Sequence, residues 1–90
     1  MNIERNLKIA ITTGKILFGS KEAEKSVKNR TAKMIVLASN FSNDFLENQK
    51  IATVLEFPGD NVALGALCGK PFSISVLTII DAGGSRILSR

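Results

Sequence analysis

The sequence predicts an α/β protein, a three-layer α/β/α sandwich with a four-stranded mixed central sheet. Three observations predict this fold class. The chain has 90 residues, enough for one modest hydrophobic core. Segments with helical spacing of apolar residues alternate with short apolar and β-branched runs, in the order α-β-α-β-α-β-α-β. No repeat, low-complexity tract or linker interrupts this order, so residues 1–90 are expected to form one domain.

The first half of the chain predicts two helices and two strands. Apolar spacing indicates a helix in residues 3–13 with Gly14 as its C-cap, and the apolar run in residues 15–19 indicates a strand. Ser20 then occupies a position typical of a helix N-cap. The charges that follow, acidic first and basic later, suit the dipole of a second helix. The continuous apolar run in residues 34–38 predicts a strand buried on both faces.

The second half predicts two further helices, two further strands and an amphipathic tail. In chain order these are a helix in 43–50, a strand in 53–57, a helix in 61–68, a strand in 74–80 and the tail in 85–90. Asp60 or Asn61 is expected to cap the last helix, and Gly69 follows its end. The last strand is predicted from its β-branched residues.

The composition argues against catalysis, a metal centre and a membrane segment. The chain has no histidine, the commonest acid–base catalyst and metal ligand. Its single cysteine, Cys68, can neither form an internal disulfide nor hold zinc alone, and it is expected in the core of a cytoplasmic protein. Neither a P-loop nor a dinucleotide-binding glycine pattern occurs. The uncharged stretch in residues 71–80 is far shorter than the ~20 residues that span a bilayer. We therefore expect no enzyme, no cofactor and no membrane attachment.

The basic residues are concentrated in the first third of the chain. Residues 1–33 hold eight of the twelve lysine and arginine residues but only three of the eight acidic residues. Such an asymmetry favours an anionic partner, of which nucleic acid is the usual example. The alternative is a charged helix face that serves only solubility. The charges alone do not distinguish between these two interpretations.

The junction between the first strand and the second helix is a candidate anion site. Phe18, Gly19, Ser20 and Lys21 follow one another where the strand gives way to the helix. Backbone N–H groups at a helix start attract phosphate, and a lysine adds a full positive charge. The alternative is a plain turn followed by a capped helix.

Two more candidate features are expected at the same end of the sheet. Asn40 follows the second strand, and an asparagine amide offers both a donor and an acceptor to the edge of a base. Phe72 and Ile74 belong to the loop, residues 69–74, that leads into the last strand, and they are expected to form an exposed pair that packs on an extruded RNA base. The alternatives are a simple turn role for Asn40 and core positions for Phe72 and Ile74.

Four runs of residues carry a resemblance to a known family. They are Thr13-Gly14-Lys15-Ile16 with Gly19, residues 32–40 (AKMIVLASN), residues 57–71 with Phe-Pro-Gly-Asp-Asn and Gly-Lys-Pro, and residues 79–88 (IIDAGGSRIL). Together, over nearly the whole chain, these runs resemble the L-thirty-e family of large-subunit ribosomal proteins, within the kink-turn RNA-binding superfamily. The short termini and Pro71 indicate the archaeal form.

The resemblance implies a fold, a ligand and a set of site residues. Members of the superfamily are α/β/α sandwiches that bind a sharply kinked internal loop of RNA. The matching positions in this chain are Gly19, Ser20, Lys21, Asn40, Phe72 and Ile74, with Phe18 as an addition at the junction. Relatives that join small nucleolar-type particles usually carry an Asn-Glu pair where this chain has Ser20-Lys21-Glu22. This difference favours the ribosomal branch.

The resemblance also implies a cellular role. The expected function is a structural constituent of the large ribosomal subunit in the cytoplasm, in contact with ribosomal RNA and neighbouring ribosomal proteins and monomeric when free. The alternatives are a subunit of an RNA-modification particle and a small protein-interaction module whose Phe72 loop docks a partner. Between Asn40 and Phe57 the chain is shorter than the family pattern by roughly two helical turns. A truncated third helix and a thinly covered sheet face are therefore expected.

Overall fold

The computed structural model describes residues 3–84. These residues form four helices and four strands, in the predicted alternating order. The elements are α1 (Ile3–Thr13), β1 (Lys15–Phe18), α2 (Ser20–Lys28), β2 (Met34–Leu37), α3 (Asp44–Asn48), β3 (Thr53–Glu56), α4 (Asn61–Leu67) and β4 (Val76–Asp81). Each predicted element within this range is present, although α3 is shorter than expected and β4 begins later. The predicted tail in residues 85–90 lies outside the described residues. None of the helices described has the length and apolar character that a membrane crossing requires.

The four strands form one mixed sheet in the order β1-β4-β2-β3. Strand β4 is antiparallel to both β1 and β2, whereas β2 and β3 are parallel. Strands β1, β2 and β3 therefore run in one direction, and their carboxyl ends share one end of the sheet with the start of β4. The candidate site residues all lie in or beside the segments that meet at this end, as predicted.

Helices cover both faces of the sheet, which confirms the three-layer sandwich. Alternate residues of the central strands point to opposite faces. One face packs against α1 and α4 through a cluster that includes Leu7, Ala10, Leu64, Met34, Val36, Leu77 and Ile79. The other face packs against α2 and α3 through Ala23, Val27, Leu46, Ile35, Leu37 and Val76. The two strands at the centre of the sheet are buried on both faces, as the apolar run in residues 34–38 predicts.

The third helix is truncated to five residues, and local polar contacts hold it. The Asn43 side chain caps it by accepting from the N–H of Leu46 at 3.1 Å, and Glu47 accepts in return from the N–H of Asn43 at 2.8 Å. Beside α3, a depression of about 400 Å³ exposes part of Phe41 and Val54. The expected thin coverage of this face is therefore present.

A buried hydroxyl group in the centre of the sheet carries a stability prediction. Thr78 is fully buried in β4 between Ile35 and Leu17 of the neighbouring strands, and its Oγ1 has no hydrogen-bond partner within residues 3–84. We expect Thr78→Val to raise the free energy of unfolding by about 1 kcal/mol, because the variant no longer buries an unpaired hydroxyl. Urea unfolding measures the change. Thr53→Val, at an exposed position of β3, is the control, and a destabilised Thr78→Val would show that the hydroxyl is paired in solution.

Candidate nucleic-acid interface

Gly19 makes the turn from β1 into α2. Its φ of 97° and ψ of 156° lie in a region that only glycine adopts without strain. The N–H of Gly19 donates to the carbonyl of Val76 at 3.0 Å, so the turn is fastened to the start of β4. The helix start is thereby held at the end of the sheet where the other candidate residues lie.

The prediction that Ser20 caps α2 is wrong. Ser20 is the first residue of the helix, Gly19 is the N-cap, and in the described part of the chain no side chain caps the first amides. The cap position depends on backbone torsions, and glycine at position 19 supplies the non-helical conformation that an N-cap needs. The consequence favours anion binding, because no side-chain oxygen of the described residues caps the N–H groups of the first turn. Lys21 follows in the same turn and is exposed.

A shallow depression of about 360 Å³ lies beside this helix start. It is lined by Phe18, Gly19, Ser20, Phe41, Phe72, Ser73, Ile74, Ser75 and Val76. Five of the seven predicted site residues thus share one concavity, while Lys21 and Asn40 lie on the adjoining turn and loop. The lining includes no carboxylate, which suits an anionic partner.

Only one residue of the expected exposed pair, Phe72, is exposed. Phe72 is 60% exposed, as base packing requires, but Ile74 is 4% exposed and belongs to the core cluster under α1 and α4. The N–H of Ile74 donates to the carbonyl of Asn61 at 3.0 Å, which draws this part of the loop onto the fold. The prediction of exposure for Ile74 is therefore wrong, and its side chain supports the loop from beneath.

Asn40 is exposed, and its amide is oriented by Asn61. The backbone N–H of Asn61 donates to Oδ1 of Asn40, and Nδ2 of Asn40 donates to Oδ1 of Asn61, both at 3.0 Å. Because a backbone N–H can only donate, the oxygen of Asn40 must face it, which fixes the orientation of the amide. One N–H and one lone pair of Asn40 stay available. The sequence indicated Asn61 only as an alternative to Asp60 for the cap of α4, and it is Asp60 that caps this helix, by accepting from the N–H of Ala63.

Lys70 is a further cation at this end that the sequence analysis missed. Its Nζ lies 5.2 Å from the centroid of the Phe18 ring. The sequence feature that could have indicated Lys70 is its position in the Gly-Lys-Pro loop, just before Phe72.

Cys68 has the character of a core thiol. It is half-buried, and burial raises the pKa of its thiol, while Lys70 and Lys8 oppose this shift more weakly. The thiol is therefore protonated at neutral pH and poorly nucleophilic. Within residues 3–84, no group of three or more metal-ligating side chains comes together.

These features define a class of protein. An α/β/α sandwich presents an uncapped helix start, an oriented amide and an exposed phenylalanine at one end, which suits the recognition of a structured polyanion. Residues 1–89 match the model of the Ribosomal protein L7Ae/L30e/S12e/Gadd45 family. The chain belongs to this family, as its sequence motifs indicate.

Curated relatives are similar over nearly their whole length. The chain is 41% identical to the large ribosomal subunit protein eL30 of Methanosarcina mazei, over 99% of the chain and 88% of the relative. The protein of the same name from Methanothermobacter thermautotrophicus is 39% identical, over 98% of the chain and 96% of the relative. The one from Sulfurisphaera tokodaii is 43% identical, over 94% and 86%. All three organisms are archaea, in agreement with the predicted archaeal form.

Proposed function

We propose that the chain is a structural protein of the large subunit of the cytoplasmic ribosome and that it binds a kinked internal loop of ribosomal RNA. Family membership and the names of the similar proteins support the ribosomal role, and those proteins are named as ribosomal components rather than enzymes. The observation that carries RNA binding is the convergence of Gly19, Lys21, Asn40 and Phe72 at one end of the sheet. In the ribosome we expect contacts with neighbouring proteins, and in isolation a monomer.

Each part of the surface has a distinct role in the proposed complex. Lys21 and the free amides of α2 neutralise phosphates, and this supplies most of the affinity in a salt-dependent way. Asn40 offers its remaining N–H and lone pair to a base edge. Phe72 packs on an extruded base, while Phe18, Ser20 and Ile74 form the wall and floor beside it. A kinked loop meets these requirements because it turns a base outward between two phosphate backbones.

The experiment is a titration of fluorescent kink-turn RNA and of a straight duplex of equal length, at two salt concentrations. We expect wild type to prefer the kinked RNA and Asn40→Ala to lose about 10-fold in affinity for it, since one base-edge contact is worth ~1–3 kcal/mol. Binding of the duplex should change little, because phosphate contacts alone hold it.

Asn48→Ala is the matched control, since Asn48 is an exposed asparagine at the end of α3, outside the proposed surface. Thermal unfolding of both variants checks that the loss of the Asn40–Asn61 contacts leaves the fold intact. Equal affinity of wild type for both RNAs would contradict the proposal and move a protein partner for the Phe72 loop to first place. Equal losses of Asn40→Ala on both RNAs would exclude base recognition by Asn40.

A further inference from the structure

We propose that Lys70 is a second phosphate-binding residue of the RNA surface, that the ring of Phe18 positions it, and that this fixed cation helps to select kinked over straight RNA. The inference rests on the proposed function and deepens it. It adds Lys70 to the site as a contact residue, and it gives Phe18, already a predicted site residue, a positioning role that the sequence pattern does not show. Three observations support it: the geometry of the cation and the ring, the fixed backbone of the loop, and the chemistry of the depression next to them.

The ammonium group of Lys70 is held against an aromatic face. Its Nζ lies 5.2 Å from the ring centroid of Phe18, within the ~6 Å over which the ring quadrupole attracts a cation. Phe18 is half-buried at the end of β1, so the sheet fixes the ring. The ring occupies one side of the ammonium group only, and the other N–H groups stay free to donate.

The backbone of Lys70 is fixed by the end of α4. Gly69 has a φ of 72° and donates to the carbonyl of Ala66 at 3.0 Å, and the N–H of Lys70 donates to the carbonyl of Gly65 at 3.0 Å. These bonds close the carboxyl end of the helix. Both ends of the Lys70 side chain are therefore restrained, one by α4 and the other by β1. An ordinary surface lysine loses rotamer freedom when it binds, and much of this cost is already met here.

The surroundings of Lys70 fit a nucleotide that has left its helix. Phe18 forms part of the wall of the 360 Å³ depression, and the exposed Phe72 lies on the same lining with the hydroxyls of Ser20, Ser73 and Ser75. An aromatic side chain for the base and a fixed cation for its phosphate then lie on one short loop. A straight duplex keeps its bases stacked and gains only the charge of Lys70. The positioned ammonium therefore contributes more to kinked than to straight RNA.

The first test is the effect of Lys70→Gln on both RNAs. We expect the affinity for kink-turn RNA to fall about 5- to 10-fold and the affinity for the duplex to fall only about 2-fold. The slope of log affinity against log salt for kink-turn RNA should decrease in magnitude by about 1. Lys70→Arg keeps the charge and the contact with the ring and should stay near wild type. The control Lys15→Gln removes an exposed charge at the other end of β1 and should affect both RNAs equally weakly.

The second test measures positioning by a double-mutant cycle. Phe18→Leu removes the ring but keeps an apolar side chain, so it should weaken kinked-RNA binding clearly in wild type and much less in the Lys70→Gln background. Phe18→Tyr keeps the ring and should restore both the affinity and the salt slope. Additive effects would overturn the positioning role of Phe18.

A Lys70→Gln variant indistinguishable from Lys15→Gln would overturn the contact role of Lys70, and thermal unfolding of each variant separates binding losses from misfolding. If wild type does not distinguish the two RNAs, both the proposed function and this inference fail. If wild type distinguishes them and Asn40→Ala reduces the difference while Lys70→Gln does not, only this inference fails.

Discussion

Replacing Gly65 with alanine is expected to lower the free energy of unfolding by about 2 kcal/mol and to weaken binding of kinked RNA together with it. Helix propensity alone predicts the opposite sign, a gain of ~1 kcal/mol at an interior position of α4. The structure reverses this expectation. A Cβ at position 65 would overlap the carbonyl oxygen of Phe72 and lie 3.2 Å from Cα of Ser73. These are backbone atoms and cannot rotate away, so the helix or the loop must move.

The movement that Gly65→Ala forces would displace the loop that carries Phe72 and Lys70. The measurement is urea unfolding combined with titration of kink-turn RNA. Gly84→Ala is the matched control, because the nearest described atom to a Cβ there is Oγ1 of Thr13 at 3.8 Å and the stability should stay near that of wild type. An unchanged or stabilised Gly65→Ala would show that α4 and the loop are separated in solution.

Leu46→Ala is expected to cost about 3 kcal/mol, within the usual range of ~2–5 kcal/mol for truncating a buried leucine. Leu46 is fully buried and is the residue through which α3 enters the core cluster under α2. A helix of five residues has no stability of its own in water. The loss of this side chain should therefore release α3 as a unit, and amide hydrogen exchange of residues 44–48 should approach that of an unfolded segment while β2 and β4 stay protected.

The neighbouring Phe45→Ala is the control for Leu46→Ala. Phe45 is 42% exposed and its ring lies 5.7 Å from Nζ of Lys28, so its removal should cost ~1 kcal/mol or less. Kink-turn RNA binding should survive both changes at temperatures where the proteins stay folded, because α3 lies outside the proposed surface. Equal destabilisation by the two substitutions would show that α3 is held by its outer face.

The order and type of the elements could be predicted from the sequence because they follow from local patterns. Apolar spacing in residues 3–13 and the continuous apolar run in residues 34–38 determine which faces must be buried, and the structure has α1 and β2 there. The position of β4 between β1 and β2 could not be predicted, since it depends on strand pairing between residues that are far apart in the sequence, such as Ile35 with Thr78 and Leu17 with Thr78. The positions of the helix ends were predicted less accurately, because neighbouring residues such as Gly19 and Ser20 can both adopt the backbone torsions that an N-cap requires.

Some features of the candidate site could likewise be predicted from the sequence, and others could not. Lys21 and Phe72 are exposed where the sequence suggested, because Lys21 lies in the first turn of α2 and Phe72 lies in the loop before β4, and both elements were predicted. Asn61 and Lys70 were missed because their partners are far away in sequence, Asn40 and Phe18 respectively. The burial of Ile74 was missed for a related reason, since it results from core contacts that the loop makes with other elements. Pairings across the sheet end are a property of the fold and have no local signature.

The central place of β4 has a consequence for the order in which the protein forms. Residues 76–81 pair with β1 on one side and β2 on the other, so the first strand has no partner in the sheet until β4 has been synthesised. The carbonyl that fastens Gly19 belongs to Val76, the first residue of that strand. The turn that opens α2 is therefore not fastened to the sheet until β4 is available to bind it. Folding of this topology relies on non-local pairing. The RNA binding that we propose thus requires that β4 has paired with β1.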